Sequence, residues 1–223
     1  MKQAKMRLKF LLVFMTFQLA TGFATPDPRA ASGTDFDAVA KHCSESVTSF
    51  MEEKAHDGDA AAQFHLGAFY LYGICKPLNP DIGVGLLEIA SGNSNPNAAF
   101  LLGELYWEGK VIERDVERAE MHLLRAASLG QAEAQFRLGT FILHRAAAKQ
   151  DVESGIAWLG RAAAKKHLQS AILLGMLHQD GFNGVEADLC LAHEWFTIAL
   201  DIGLENSQNV KMIMERISDT QCG

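Results

Sequence analysis

The dipeptide Leu-Gly occurs at Leu66-Gly67, Leu102-Gly103, Leu138-Gly139 and Leu174-Gly175, always 36 residues apart. A period of that length marks a chain of stacked units, each too small to bury its apolar face alone. Other positions keep the same register. Ala62, Ala98, Ala134 and Ser170 stand four residues before each leucine, and Tyr70, Tyr106, Ile142 and His178 stand three after each glycine. A further glycine follows at Gly73, Gly109 and Gly181, with Arg145 in its place in the third copy. Next come Asn79 with Pro80 behind it, Asp115, Asp151 and, after one inserted residue, Asp188. Asn and Asp accept from the orphan amides of a first helical turn, and proline fits the first helical position.

Each unit therefore predicts two helices. The first carries Ala-x-x-x-Leu-Gly-x-x-Tyr, whose apolar spacing defines one buried face. Its glycine lets the second helix come close, and the later glycine ends the helix in left-handed geometry. The second helix carries Leu86, His122, Trp158 or Trp195 in an expected core register. Four residues later Ala90, Ala126, Ala162 or Ala199 admits the next unit, and a break follows at Ser94, Gly130, Lys166 and Gly203. No stretch of useful length alternates with period two, so strands are not expected. In the third unit a non-glycine left-handed residue would cost roughly 1–2 kcal/mol, so its first helix is expected to run on and reshape the turn.

The ends differ from the repeats. Lys2, Lys5, Arg7 and Lys9 precede an apolar run from Phe10 to about Ala20, and Gly22 and Ala24 follow. That is the layout of a secretory signal peptide. The expected organisation is a leader over 1–24, a flexible lead over 25–34 and an N-terminal capping helix within 35–58. Repeats follow over 59–94, 95–130, 131–166 and 167–203, with a second capping helix within 204–223. Caps are needed because an open end would expose an apolar face. Loss of the leader's four cations would lower the formal net charge from −7 to −11. So acidic a chain disfavours nucleic acid and anionic lipid.

The pattern resembles the Sel-1-like repeat family, relatives of the tetratricopeptide repeats, in an exported bacterial form. The residues that carry the resemblance are Ala-x-x-x-Leu-Gly-x-x-Tyr-x-x-Gly and the downstream Asp188, Ala192, Trp195 and Ala199. It implies an all-α, right-handed solenoid of four helix-pair repeats. It also implies a protein-binding role as a periplasmic regulator, an immunity protein or inhibitor, or a secreted host-interaction factor. The remaining alternative is an enzyme of the penicillin-binding or cell-wall-acting kind.

Four cysteines, Cys43, Cys75, Cys190 and Cys222, permit three pairings by sequence alone. In a solenoid, packed helices lie about 8–10 Å apart, whereas a disulfide needs α-carbons within about 7 Å. Cys43 with Cys75 and Cys190 with Cys222 are then the pairs within reach, each stapling a cap to its neighbour.

Signals for catalysis are weak. The sequence contains no HExxH, GxxxxGK[ST], GxSxG, Ser-x-x-Lys or Lys-Thr-Gly. Ser91-Gly92-Asn93 matches one element of the acyl-serine enzymes, at a helix end where these are ordinary turn residues. The eight histidines are scattered, and His122 and His178 replace large apolar residues, so packed, satisfied rings are expected there. Neither a cofactor nor a metal is expected.

By the geometry such repeats share, the concave face is lined by first-helix residues. These include Phe64, Ala68, Leu71 and Tyr72, then Phe100, Glu104, Trp107 and Glu108. The third and fourth repeats add Phe136, Thr140, Leu143 and His144, and Met176, Gln179 and Asp180. The phenylalanines recur as core residues do. Trp107 does not: its counterparts are Leu71, Leu143 and Gln179. The expected contact set is Trp107, Glu104, Glu108, Tyr72, His144 and Asp180. The expected partner is a protein or peptide with a basic patch, held by a monomer.

Overall fold

In this computed structural model each helix pair opens and closes on backbone devices that the 36-residue period sets in place. The structure describes residues 43–204 together with Met214 and Glu215. The expected leader and lead, the start of the N-terminal cap, most of the C-terminal cap and Cys222 lie outside these residues. The described helices are α1 (Glu45–His56), α2 (Ala60–Tyr72), α3 (Pro80–Gly92), α4 (Pro96–Glu108) and α5 (Val116–Ser128). They continue as α6 (Ala132–Arg145), α7 (Lys149–Ala164), α8 (Leu168–Asp180) and α9 (Leu189–Ala199), followed by a π-helical turn over Leu200–Leu204. Helices α2, α4, α6 and α8 are the first helices of the repeats, and α3, α5, α7 and α9 the second. Each packs mainly on its neighbours in the chain, as a solenoid requires.

Caps define the starts. Asp59, Asn95, Gln131 and His167 each accept from the amide of the third residue on, opening the four first helices. Asn79, Asp115 and Asp188 do the same for second helices. Asp151 departs from its expected role. It sits inside α7 and accepts from the Ala147 and Ala148 amides at 3.2 Å each, so the helix begins at Lys149.

Left-handed residues define the ends. Gly73 and Gly109 close α2 and α4 at φ +66°. The third first helix runs on to Arg145, and Ala146 follows at φ −55° and ψ 119°. The extra residue of repeat four makes a tight turn, with Phe182 and Val185 exchanging 2.9 Å backbone bonds. Asn183 in that turn donates to the Ala146 carbonyl at 3.0 Å, satisfying the turn that lacks glycine. The breaks between repeats also share one conformation: Gly58 and Gly130 at φ +90° and +91°, Ser94 and Lys166 at +63°. Two of these four carry a Cβ in a region that favours glycine.

The core register of the second helices lies one residue beyond the expected one. Leu87, Leu123, Leu159 and Phe196 are at most 3% exposed. Leu86, His122, Trp158 and Trp195 are half-buried at the flank. His122 stacks on Tyr106 with centroids 5.6 Å apart. Its Nδ1 and the Trp195 Nε1 have no hydrogen-bond partner among the described residues, so His122 is packed but only partly satisfied.

A longer period overlies the first. Gln63 and Gln135 alternate with Ala99 and Ala171, and His65 and Arg137 with Leu101 and Leu173. Phe69 and Phe141 alternate with Leu105 and Leu177, and Gly83 and Gly155 with Ala119 and Ala192. Geometry follows the alternation. The Gln63 and Gln135 amides each donate, at 3.0 Å, to a carbonyl of the preceding helix, Ala55 and Ala127. Where α2 crosses α3, and α6 crosses α7, both helices present glycine. A Cβ on Gly83 would lie 2.9 Å from the Gly67 carbonyl oxygen, and one on Gly155 would lie 2.7 Å from Leu143 Cγ. The structural unit is thus a pair of repeats.

Of the expected disulfides, Cys43–Cys75 is present, with α-carbons 5.2 Å apart. Cys190 is also disulfide-bonded, and Cys222 lies outside the described residues. No helix among the described residues is long and apolar enough to cross a membrane.

Candidate functional site

The residues singled out from the sequence divide into two sets. Tyr72, Glu108, His144 and Asp180 occupy one repeat position, at the C-terminal ends of α2, α4, α6 and α8. They form a ladder along one edge of the solenoid. Tyr72 is half-buried against the first core cluster, while His144 and Asp180 are exposed. Glu108 pairs with Lys110 at 3.1 Å. Carboxylates at Glu108 and Asp180 stand beside the partial negative charge of helix C-termini, and Lys110 and Arg114 stand on the same edge.

Trp107 sits beside that ladder and is 40% exposed, whereas Leu71 and Leu143 at the same repeat position are 3% and 1% exposed. The Leu143 side chain lies against Gly155, and the Leu71 backbone lies against Gly83. Ala119 stands at the matching position in repeat two. The Trp107 indole meets Phe141 of the next repeat edge-on, with centroids 5.5 Å apart. The Arg114 guanidinium lies 5.5 Å from the indole ring, and its Nε donates to the Trp107 carbonyl at 3.1 Å. The tryptophan is held in place and open to solvent.

Glu104 does not flank Trp107 at the surface as expected. It is 7% exposed and lies 3.4 Å from the Arg137 guanidinium on α6. Burial pushes its carboxyl above the usual range, with Arg137 opposing. Arg137 also binds Glu133 at 3.1 Å, and Glu133 binds His167 Nε2 at 2.9 Å. His167 Nδ1 accepts from the Ser170 amide, which leaves Nε2 to carry the proton toward Glu133. Burial pushes Glu133 up, but the bonds from His167 and Arg137 outweigh it and hold the carboxyl low. This network ties repeats two, three and four together along their first helices. Sequence reasoning missed it, although His167 stands where Asp59, Asn95 and Gln131 cap the other first helices.

Of the remaining expected groove residues, Phe64, Ala68, Leu71, Phe100 and Leu143 are core. Phe136, Thr140, Met176 and Gln179 are half-buried. The Ser91 hydroxyl offers no accessible nucleophile, since Ser91 is 2% exposed inside α3. Among the described residues no group of three or more His, Cys, Asp or Glu side chains could hold a metal ion.

The Sel1 repeat profile matches residues 60–95, 96–131, 132–167 and 168–204, and the chain belongs to the Sel1 repeat family, whose repeats serve as protein-interaction modules. Among solved structures it is similar to a Sel1 repeat protein from Oxalobacter formigenes, at 23% identity and TM-score 0.67, over 78% of this chain and 49% of that one. It is also similar to c5321, a protective antigen of uropathogenic Escherichia coli, at 26% identity and TM-score 0.63, over 70% of this chain and 33% of that one. The chain thus spans about half of the first and a third of the second. The immunity protein Pa5087 from Pseudomonas aeruginosa is a more distant likeness, at 14% identity and TM-score 0.47, over 89% of this chain and 80% of that one.

Proposed function

We propose that this chain is an exported, non-catalytic binding protein that holds a partner along the edge formed by the C-terminal ends of its first helices. Trp107 is the anchor, and Glu108, His144 and Asp180 are its polar surround. The observation that carries this reading is the exposure of Trp107 at a position where two of the other repeats bury leucine. Aromatic anchors that lose solvent on binding dominate interface energetics. The carboxylates at the helix C-termini favour a partner with a basic patch. Export is supported by the basic-then-apolar order of the first 24 residues and by disulfide-bonded cysteines, which persist in oxidising compartments. The role is that of a periplasmic inhibitor, immunity protein or regulator.

An affinity pulldown from periplasmic extract, with wild-type and Trp107→Ala protein side by side, tests this. A protein enriched by the wild type and lost with the variant is the expected result. Equal capture by both would overturn the placement of the binding edge. A covalent adduct with a labelled penicillin would overturn the non-catalytic assignment.

A further inference from the structure

A cleft of about 450 Å³ opens between α7 and the turn that joins α8 to α9. Lys149, Glu153, Ile156 and Ala157 line it from α7, His178 from α8, and Gly184, Val185 and Glu186 from the turn. None of its lining residues is Trp107, Glu108, His144 or Asp180, and one wall is the Phe182–Val185 turn that the extra residue of repeat four makes. Its walls divide by chemistry. Ile156, Ala157 and Val185 make an apolar sleeve, an imidazole faces it from α8, and a carboxylate stands on either side. Glu153 is shared with Lys149 at 3.6 Å. Glu186 is exposed, and no hydrogen bond or ion pair engages it among the described residues.

The first pair of repeats carries related residues at the matching sequence positions one double repeat earlier. Asp81, Val84 and Gly85 match Glu153, Ile156 and Ala157. Tyr106 matches His178, and Ile112 and Glu113 match Val185 and Glu186 across the insertion. The junction between the two pairs breaks the pattern, with Lys149 at the position of Glu113 and Glu186. In the first pair Arg118 covers the ring at the His178 position and pairs with Asp115 at 3.3 Å. The Arg118 guanidinium lies 5.4 Å from the Tyr106 ring centroid and donates to its hydroxyl at 3.1 Å. In the second pair the residue at the Arg118 position is Leu191, and the ring is the smaller His178. The guanidinium that covers Tyr106 therefore has no counterpart over His178.

We infer that this cleft is a receptor for a lysine or arginine side chain of a partner protein, with Ile156, Ala157 and Val185 against the methylene stem and Glu153 and Glu186 on the cationic head. Long basic side chains bury their stems on apolar surface while the charged head stays with polar groups. Burial lowers the His178 pKa, with Asp188 opposing, so at neutral pH the ring adds no repulsion. Lys149 gives up its contact with Glu153 to the incoming cation, an exchange made easy by the exposure of that pair. The inference deepens the protein-binding reading by naming what a partner inserts, yet it stands or falls separately from the Trp107 edge.

The test is backbone amide and histidine chemical-shift mapping of the full mature chain, titrated with the capped tripeptides Ala-Lys-Ala, Ala-Arg-Ala, Ala-norleucine-Ala and Ala-Glu-Ala. The lysine and arginine peptides should shift Ala157, His178, Gly184 and Glu186, saturating in the millimolar range expected of about 4 kcal/mol of binding free energy. The norleucine and glutamate peptides should shift them at least fivefold less. Glu153→Gln with Glu186→Gln, both at exposed positions, should weaken the lysine and arginine response at least fivefold with an unchanged melting temperature. Equal response to norleucine, shifts confined to the Trp107 edge, no shift at these residues, or indifference to the double substitution would each overturn the assignment. Partner capture by wild type and Trp107→Ala keeps the two readings apart: capture lost with Trp107→Ala but no peptide shift at the cleft sinks the cleft alone, and peptide shifts at the cleft with capture indifferent to Trp107→Ala sink the edge alone.

Discussion

The Arg137 guanidinium on α6 lies 3.4 Å from the Glu104 carboxylate on α4, so the third repeat neutralises a charge buried in the second. Glu104 titrates above its ordinary value of 4.5 and Glu133, bound to the same arginine, below it. Their linkage to folding has opposite signs. The Glu104 contribution falls as pH rises from 4.5 through its raised folded value. The Glu133 contribution is present above 4.5 and is lost as pH falls through its lowered folded value. Glu133→Gln should therefore cost about 1 kcal/mol at pH 7 and flatten the acid limb of the stability curve. Glu104→Gln should cost less at pH 7 and remove the decline on the other side. Urea midpoints across the range from acid to neutral pH measure both, and identical profiles for the two variants would contradict these signs.

The helix crossings give a sharper contrast. At Gly83 and Gly155 a methyl group would meet backbone or leucine carbon below 3.0 Å, whereas at Gly85 and Gly160 nothing lies within 4 Å. Gly83→Ala and Gly155→Ala should each lose roughly 1–3 kcal/mol by overpacking. Gly85→Ala and Gly160→Ala should each gain up to about 1 kcal/mol through helix propensity. Chemical denaturation separates the pairs, because the signs are opposite.

Lys166 and Ser94 hold the left-handed conformation that Gly58 and Gly130 hold at the matching breaks. Replacing either with glycine should raise stability by roughly 1 kcal/mol, the relief of a Cβ in that region less the entropy that glycine adds to the unfolded chain. Gly130→Ala should lower it by a similar amount. Melting temperatures of the three variants decide the matter.

Phe196 and Trp107 are both aromatic and should behave differently. Phe196 is 1% exposed on α9, and Trp107 is 40% exposed on α4. Phe196→Ala should lose roughly 3–5 kcal/mol of stability. Trp107→Ala should lose about 1 kcal/mol, the scale of an aromatic edge contact. Comparable losses in one denaturation series would place Trp107 in the core.

The all-α repeat fold was legible because its punctuation is local. Caps such as Asp115, left-handed glycines such as Gly109 and the Leu-Gly crossing each follow from a few adjacent residues. The second-helix register was not, because Trp158 and Trp195 drew attention by size. A helix flank between repeats has room for a large ring, whereas the centre of the crossing admits Leu159 or Phe196. Glu104 was misplaced for a related reason: nothing beside it in sequence announces Arg137, which lies a full repeat away. Trp107 stood out correctly as a departure from the leucines at its position. Its edge contact with Phe141, in the next repeat, became visible only in the fold.

The alternation of glycine-notched and alanine-blocked crossings restricts how a chain of this kind can change length. Removing the second repeat alone would face Arg137 with Ala68 instead of Glu104, and Phe141 with Leu71 instead of Trp107. The salt link would be broken and the aromatic edge contact replaced by an aliphatic one. Removing or duplicating two consecutive repeats brings each odd unit back against an even one. Viable length variants should therefore differ in even numbers of repeats, with an unpaired unit tolerated only at a terminus, where one of its faces meets a cap.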